Sequence, residues 1–277
     1  MIKGSLTFVP SGGLANRMRA IASAYTLTQQ TGIDLRVVWF QDWALNAPFH
    51  SIFQPIEQLN VREAKGLDFV LYDRARRRNL WLPALPQRLI FERSIKEQSV
   101  DELERQRFDF DRWACGHRCY MSSYSVFGNV HDEIYRQLFV PVKEVTDVVN
   151  SFQDSFSDHT IGVHVRRTDH TVAIESSPDY LFLEKVEKEI DTNEDTCVFL
   201  ATDSNEVKSI FVRKYGTRVI MQQAEARRDS IEGIRGGLID MYTLSKTCKI
   251  FGSAGSTFSP MAASLGDVKL EIVTKNS

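Results

Sequence analysis

Thr160-Ile161-Gly162-Val163-His164-Val165-Arg166-Arg167-Thr168-Asp169 runs from residues suited to a buried strand straight into polar ones. The elements downstream of it complete the pattern that decides the fold. Pro178 opens an amphipathic helix through Ile190, with the proline placed where its missing N–H costs nothing. Cys197-Val198-Phe199-Leu200-Ala201-Thr202 is a second apolar strand, stopping at Asp203. Asn205 to Tyr215 reads as a helix, Arg218 to Met221 as a third strand, and Ser230 to Thr247 as a long helix with Leu238, Met241, Leu244 and Ser245 at core spacing. Lys249-Ile250-Phe251-Gly252 is a fourth strand, Ser256 to Ser264 a short helix, and Val268 to Val273 a closing strand. Strands alternating with helices predict parallel β-α-β units in an open sheet with helices on both faces.

The first half begins in the same way. Leu6-Thr7-Phe8-Val9 is a strand, Pro10-Ser11-Gly12-Gly13 a turn, and Leu14 to Gln30 a helix with an apolar stripe of Leu14, Met18, Ile21, Ala22, Tyr25 and Leu27. Asp34 to Phe40 is the next strand. Between Gln41 and Phe110 the pattern is irregular, with a strand at Asp68 to Tyr72; Tyr120 to Val126 is another strand. Pro141 and the polar run Ser151 to His159 mark a boundary, which predicts two α/β domains, 1–150 and 151–277.

Composition excludes several classes. With 43% apolar and 25% charged residues the chain reads as globular, and a net charge of −2 gives no electrostatic reason to expect nucleic acid. The basic run Arg74-Ala75-Arg76-Arg77-Arg78 beside Trp81 reads as a solvated face. No run of about 18 apolar residues predicts a membrane span, and Met1-Ile2-Lys3-Gly4-Ser5 lacks the core of a signal peptide. Four cysteines are too few for a disulfide scaffold and point to a reducing cytoplasm. Cys115-Gly116-His117-Arg118-Cys119 has no second ligand pair at zinc spacing. Phe108-Asp109-Phe110-Asp111 carries a D-x-D, but with no catalytic pattern after it this reads as a chance occurrence.

Open α/β sheets hold ligands at the carboxyl ends of their strands. Polar residues gather there in three groups: His164 to Asp169, Asp203, and Gly252 to Ser259. Two adjacent arginines leaving a buried strand are costly unless each meets an anion. A diphosphate gripped bidentately is one solution, and an Arg–Asp brace between loops is the other. Gly252-Ser253-Ala254-Gly255-Ser256-Thr257 suits a phosphate-binding helix start, or an ordinary turn capped by Ser256 or Thr257. Gly12-Gly13-Leu14-Ala15-Asn16-Arg17 is a glycine turn in the other half; it either serves the backbone alone or presents Asn16 and Arg17 to a ligand.

His164-Val165-Arg166-Arg167-Thr168-Asp169, preceded by Ile161-Gly162, resembles the H-x-R-R-x-D region of the α1,6-fucosyltransferases, in a superfamily that includes nodulation, α1,2- and protein O-fucosyltransferases. Ala201-Thr202-Asp203 resembles the second motif of that superfamily, and Gly237-Leu238-Ile239-Asp240 through Ser259 the third. Gly12 to Arg17 is similar to its N-terminal G-G-x-x-N-[RQ] turn. The resemblance covers 160–265, and 6–30 more loosely. It implies a GT-B-like fold, two Rossmann-type domains with parallel sheets facing an interdomain cleft. The donor is held mainly by the second domain, and the first is the acceptor side. It further implies an inverting, metal-independent transfer of fucose from GDP-fucose to a glycan hydroxyl.

By position, the resemblance assigns Arg166 to the diphosphate and the departing GDP, and places His164 beside the nucleotide. Asp240 accepts hydrogen bonds from guanine, and Ser256 and Thr257 contact phosphate. Asp203, Gly13, Asn16 and Arg17 complete the donor-binding set. Glu175 aligns, across one deletion, with a carboxylate that serves as general base, and Asp169 is its substitute. No cofactor beyond the donor is expected. The partners are a nucleotide sugar and a glycan acceptor, lipid-linked or soluble, with peripheral membrane contact left open. The short chain, without membrane anchor, stem or SH3-like appendage, points to a cytoplasmic bacterial enzyme, and the C-terminal helix that often packs back across a GT-B fold is expected to be missing. A transferase using another nucleotide sugar, and a catalytically inactive nucleotide-sugar or glycan-binding protein, are the competing readings.

Overall fold

The computed structural model describes residues 4–73, 84–168, 171–224 and 227–275. By internal contacts it divides into two compact units: Met1–Val142 with Arg228–Ile231, and Lys143–Arg227 with Glu232–Ser277.

In the first unit Ser5–Pro10 (β1) leads through the glycine turn into Leu14–Thr31 (α1) and back to Asp34–Trp39 (β2). Gly12 has φ +80°, the left-handed region in which a side chain is strained, so the tight entry to α1 needs glycine. The irregular middle resolves into short pieces: Val61–Glu63 (β3), Asp68–Leu71 (α2), Ala84–Ile90 (α3), Arg93–Ile95 (β4), Glu97–Arg105 (α4) and Phe110–Ala114 (α5). Arg118–Ser123 (β5) and Asp132–Leu138 (α6) complete the unit. All five strands are parallel, in the order β3-β2-β1-β5-β4. One face, through Val9, Val38 and Tyr120, is covered by Leu71, Tyr72 and Phe91. On the opposite face Phe8 packs on Phe127, which meets Phe110 of α5.

Two expectations are corrected here. Asp68 to Tyr72 is a helical turn and not a strand: the Asp68 carboxylate accepts from the Lys65 N–H (2.9 Å), closing a turn that starts the helix. The expected strand from Tyr120 to Val126 lies earlier, at Arg118–Ser123, because pairing with β1 ends at Pro10 and Ser123.

The second unit starts with Lys143–Gln153 (α7), so the units divide before residue 150; Phe152, near its end, packs against Phe199 of the second sheet. Thr160–Val165 (β6), Thr171–Ser176 (α8), Asp179–Thr192 (α9), Cys197–Thr202 (β7), Asn205–Tyr215 (α10) and Val219–Ile220 (β8) come next. Ile231–Leu244 (α11), Lys249–Ser253 (β9), Phe258–Gly266 (α12) and Lys269–Val273 (β10) close it. The order is β10-β9-β6-β7-β8, again wholly parallel.

Period-two alternation sorts the strand residues between two faces. Ile161, Val163, Val165, Val198 and Leu200 face Phe182 and Val186 of α9 and Phe211 of α10. Gly162 and Gly252 face the other way, where space is scarce. A Cβ on Gly162 would lie 2.8 Å from Leu244 Cδ2, and one on Gly252 would overlap Ser259 Oγ. Glycine at these positions lets α11 and α12 settle against the sheet.

Candidate functional site

In the second sheet the chain runs outward from β6 to β7 and β8, then returns to β9 on the other side of β6. The winding therefore reverses between β6 and β9, and their carboxyl ends border a crevice of the kind in which open α/β sheets bind ligands. Arg166 leaves β6 at that point. Its N–H donates to Ser253 Oγ at the end of β9 (3.0 Å), and the same hydroxyl donates to the His164 carbonyl (3.2 Å). The crevice is thus cross-linked at its base by one serine.

The two arginines then part. The Arg166 guanidinium pairs with Asp203 at 2.8 Å and its side chain remains 19% exposed. Asp203, just after β7, also accepts from the Arg167 N–H (2.8 Å), the Thr168 N–H (3.3 Å) and the Thr168 hydroxyl (2.8 Å). Burial works against its charge, but Arg166 and these donors prevail and hold the carboxyl below its ordinary range. Arg167 faces away into a structural role. It donates to Asp179 (2.8 Å through Nε) and to the carbonyls of Ser177 (2.8 Å) and Arg166 (2.7 Å), with its guanidinium over Phe182.

Ser177, fully buried, ties this loop to the rest of the rim. Its hydroxyl donates to the Val273 carbonyl (2.5 Å) and accepts from the Ala254 N–H (2.9 Å). Sequence reasoning singles out neither Asp179 nor Ser177; the Pro178-Asp179 helix start is the one signal of the former.

His164 lies beneath the crevice, stacked on Phe258 of α12 at 4.8 Å. Burial, reinforced by Arg166, lowers its pKa to about 3, so the ring is neutral at pH 7. Its Nδ1 and the Ser259 hydroxyl are buried without a hydrogen-bond partner among the described residues. Ser256 Oγ accepts from the Phe258 N–H at the start of α12 (3.3 Å). Thr257 holds the cap position without a side-chain capping bond, so of the two expected cap residues it is Ser256 that bonds the start of the helix.

Asp240 stands on α11, hydrogen-bonded by the Gln222 side-chain amide. Gln222 also donates to the Gly236 carbonyl (2.8 Å), and Lys208 secures the Gln222 carbonyl (3.0 Å). Burial raises the Asp240 carboxyl to about 7, opposed by Gln222 and Lys208. Glu175 is exposed on α8, and Asp169 lies outside the described residues.

The first sheet reverses between β1 and β5. There the Ser11 N–H donates to the Ser123 carbonyl (2.9 Å), while Ser11 Oγ is bonded to Glu97. Gly13 has no atom within 4 Å of its would-be Cβ, while Asn16 crowds Gly12. Arg17 is corrected most sharply. Instead of reaching outward it is 0% exposed, donating to the carbonyls of Gly12 (2.8 Å) and Phe40 (2.5 Å) and to Asp42 (2.8 Å), beneath Trp39. Asp109 of the D-x-D stretch caps α5 by accepting from the Arg112 N–H (2.8 Å). Among the described residues no group of three or more His, Cys, Asp or Glu is placed to hold a metal.

No protein-family model matches the chain, and no curated protein matches it. Solved structures do. The fucosyltransferase NodZ from Bradyrhizobium superposes with TM-score 0.63 at 19% identity, covering 95% of this chain and 93% of that one. An Arabidopsis thaliana FUT1 mutant in complex with GDP gives TM-score 0.59 at 15% identity, over 97% of this chain and 69% of that one. POFUT1 in complex with GDP-fucose gives 0.57 at 11% identity, over 96% and 95%. The structural neighbours are fucosyltransferases, and the chain shares their two-sheet GT-B fold.

Proposed function

We propose that this chain transfers fucose from GDP-fucose to a hydroxyl of a glycan or glycoconjugate, with inversion and without a metal. The observation that carries the reading is Arg166, held on Asp203 at the β6/β9 crevice while still reaching solvent. A fold shared with proteins solved with GDP and GDP-fucose supports the donor.

The acceptor oxygen attacks C1 of fucose as the bond from C1 to the β-phosphate oxygen breaks, and the electron pair leaves with GDP. The sugar passes through an oxocarbenium-like state while negative charge gathers on the β-phosphate. Arg166 meets that charge, already oriented by Asp203, together with N–H groups at the start of α12 beside Ser256 and Thr257. Neutral His164 forms the floor under the nucleotide. Asp240 accepts from N1–H and N2–H₂ of guanine, with Gln222 holding the carboxylate in register. Glu175 takes the acceptor proton, with Asp169 as the substitute.

Titration with GDP, UDP, ADP and CMP, then assay of donor hydrolysis and transfer with and without EDTA, tests this. GDP should bind alone among the four, and turnover should persist in EDTA. Binding of UDP with GDP silent overturns the donor assignment. Loss of turnover in EDTA overturns metal independence.

A further inference from the structure

We infer, on the premise that GDP-fucose is the donor, that Gln222 reads the nucleobase together with Asp240, accepting the amino hydrogen of guanine that Asp240 leaves free. Gln222 comes two residues past the end of β8, on the carboxyl side of the second sheet, where Arg166 follows β6 and Asp203 follows β7. A side-chain amide has one donating end and one accepting end, and its neighbours fix which is which. Gln222 Nε2 donates to the Gly236 carbonyl (2.8 Å) and to Asp240 Oδ1, so both of its hydrogens are spent. The amide oxygen is left as an acceptor beside the carboxylate, and among the described residues it receives no hydrogen bond. Lys208 of α10 donates to the Gln222 main-chain carbonyl (3.0 Å), so the backbone that carries the amide is anchored too.

The ground next to these acceptors is clear. A Cβ on Gly236 would sit 3.9 Å from Gln222 Oε1, and one on Gly237 would meet nothing within 4 Å. Two successive glycines leave α11 without side chains just before Asp240, so a flat ring can approach the helix backbone there. Gln222 and Asp240 are both half-buried and present oxygens alone to that space. Guanine sets a ring N–H beside an amino group, two donors side by side with a further amino hydrogen behind them. Uracil presents one N–H between two carbonyls, and adenine and cytosine set an amino group beside a ring nitrogen that accepts. Each of these three turns an acceptor toward an acceptor, which disfavours it. Asp240 takes N1–H and one amino hydrogen, and Gln222 Oε1 takes the other.

Isothermal titration with GDP and with inosine diphosphate, which keeps N1–H and lacks the amino group, tests the inference. Native protein should bind GDP at least about tenfold tighter than inosine diphosphate. Gln222→Met fills a similar volume without the amide, and should reduce that preference to about threefold or less with an unchanged circular dichroism spectrum. An undiminished preference in the variant overturns the inference and leaves the donor assignment standing. Failure of the native protein to bind GDP overturns both. A crystal structure of the native protein with GDP gives a second measurement that depends on no variant. The amino nitrogen should lie within about 3.2 Å of Gln222 Oε1. A longer separation makes Gln222 a brace for Asp240 alone and overturns the inference.

Discussion

Arg17 and Arg166 both stand at the carboxyl ends of strands in a five-stranded parallel sheet, and both are paired with an aspartate at 2.8 Å. They differ in what surrounds the pair. Arg17 is wholly enclosed, its donors directed to two carbonyls and Asp42, and burial lowers its pKa against the attraction of that carboxylate. Arg166 keeps contact with solvent and sits on a carboxylate that three further donors have already fixed. The same ion pair is therefore mortar in one unit and, under the proposed function, a mounted tool in the other. Exposure and the satisfaction of the partner separate the two cases, and residue type does not.

The largest effect should come from breaking the enclosed pair. Arg17→Ala leaves Asp42 and the Phe40 carbonyl short of a donor in the interior, and should cost about 3–5 kcal/mol of stability in urea denaturation. A loss under about 1 kcal/mol would dissolve the contrast with Arg166.

Arg166→Ala should instead leave the unfolding transition close to native while lowering kcat by about 10²–10³, equivalent to about 2.7–4 kcal/mol in the barrier. If the melting curve collapses along with the activity, Arg166 is a brace like Arg17.

Gly252→Ala sharpens the comparison by disturbing the crevice without touching an arginine. The new methyl would press on Ser259 Oγ and Cβ, so α12 must move, at a cost of about 1–3 kcal/mol and with weaker GDP binding. Native affinity in this variant would dissociate α12 from the donor site.

The smallest effect concerns pH. Asp240 has a carboxyl raised to about 7, so its charged form, which the proposed guanine contact needs, is depleted on acidification. GDP affinity should fall about tenfold from pH ~8 to ~6, and Asp240→Asn should flatten the profile. The linked stability term has the opposite sign. A carboxyl with a folded pKa above its unfolded one stabilises the fold fully below the unfolded value, and the benefit is lost as pH rises through about 7. Asp240→Asn should accordingly melt higher than native protein above that pH.

The second unit is legible in the sequence because its central strands β6, β7 and β9 are almost wholly buried and most of its helices are long, so the shift between periods is visible from Thr160 onward. The first is not, because β3 and β4 have three residues each and α2 has four, too short for a period to develop. Arg166 and Asp203 announce themselves as charges at strand ends. Asp179 does not, because its tie to Arg167 depends on how α9 packs on the sheet. Arg17 misleads although a clue exists: it lies in register with the buried Ile21, Ala24 and Thr28 of α1, on the inward face.

The all-parallel strand orders also set a timetable for synthesis. In the first sheet β1 needs β5 as its neighbour, and that partner leaves the ribosome roughly 110 residues later, about 5–20 s at ordinary elongation rates. In the second, β6 waits in the same way for β9. Among the described residues neither sheet contains a hairpin through which adjacent strands pair as they emerge. Each half of this chain consequently spends seconds with apolar strand edges bare, and its yield in a cell should depend on chaperones that shield nascent chains more than on the stability it finally reaches.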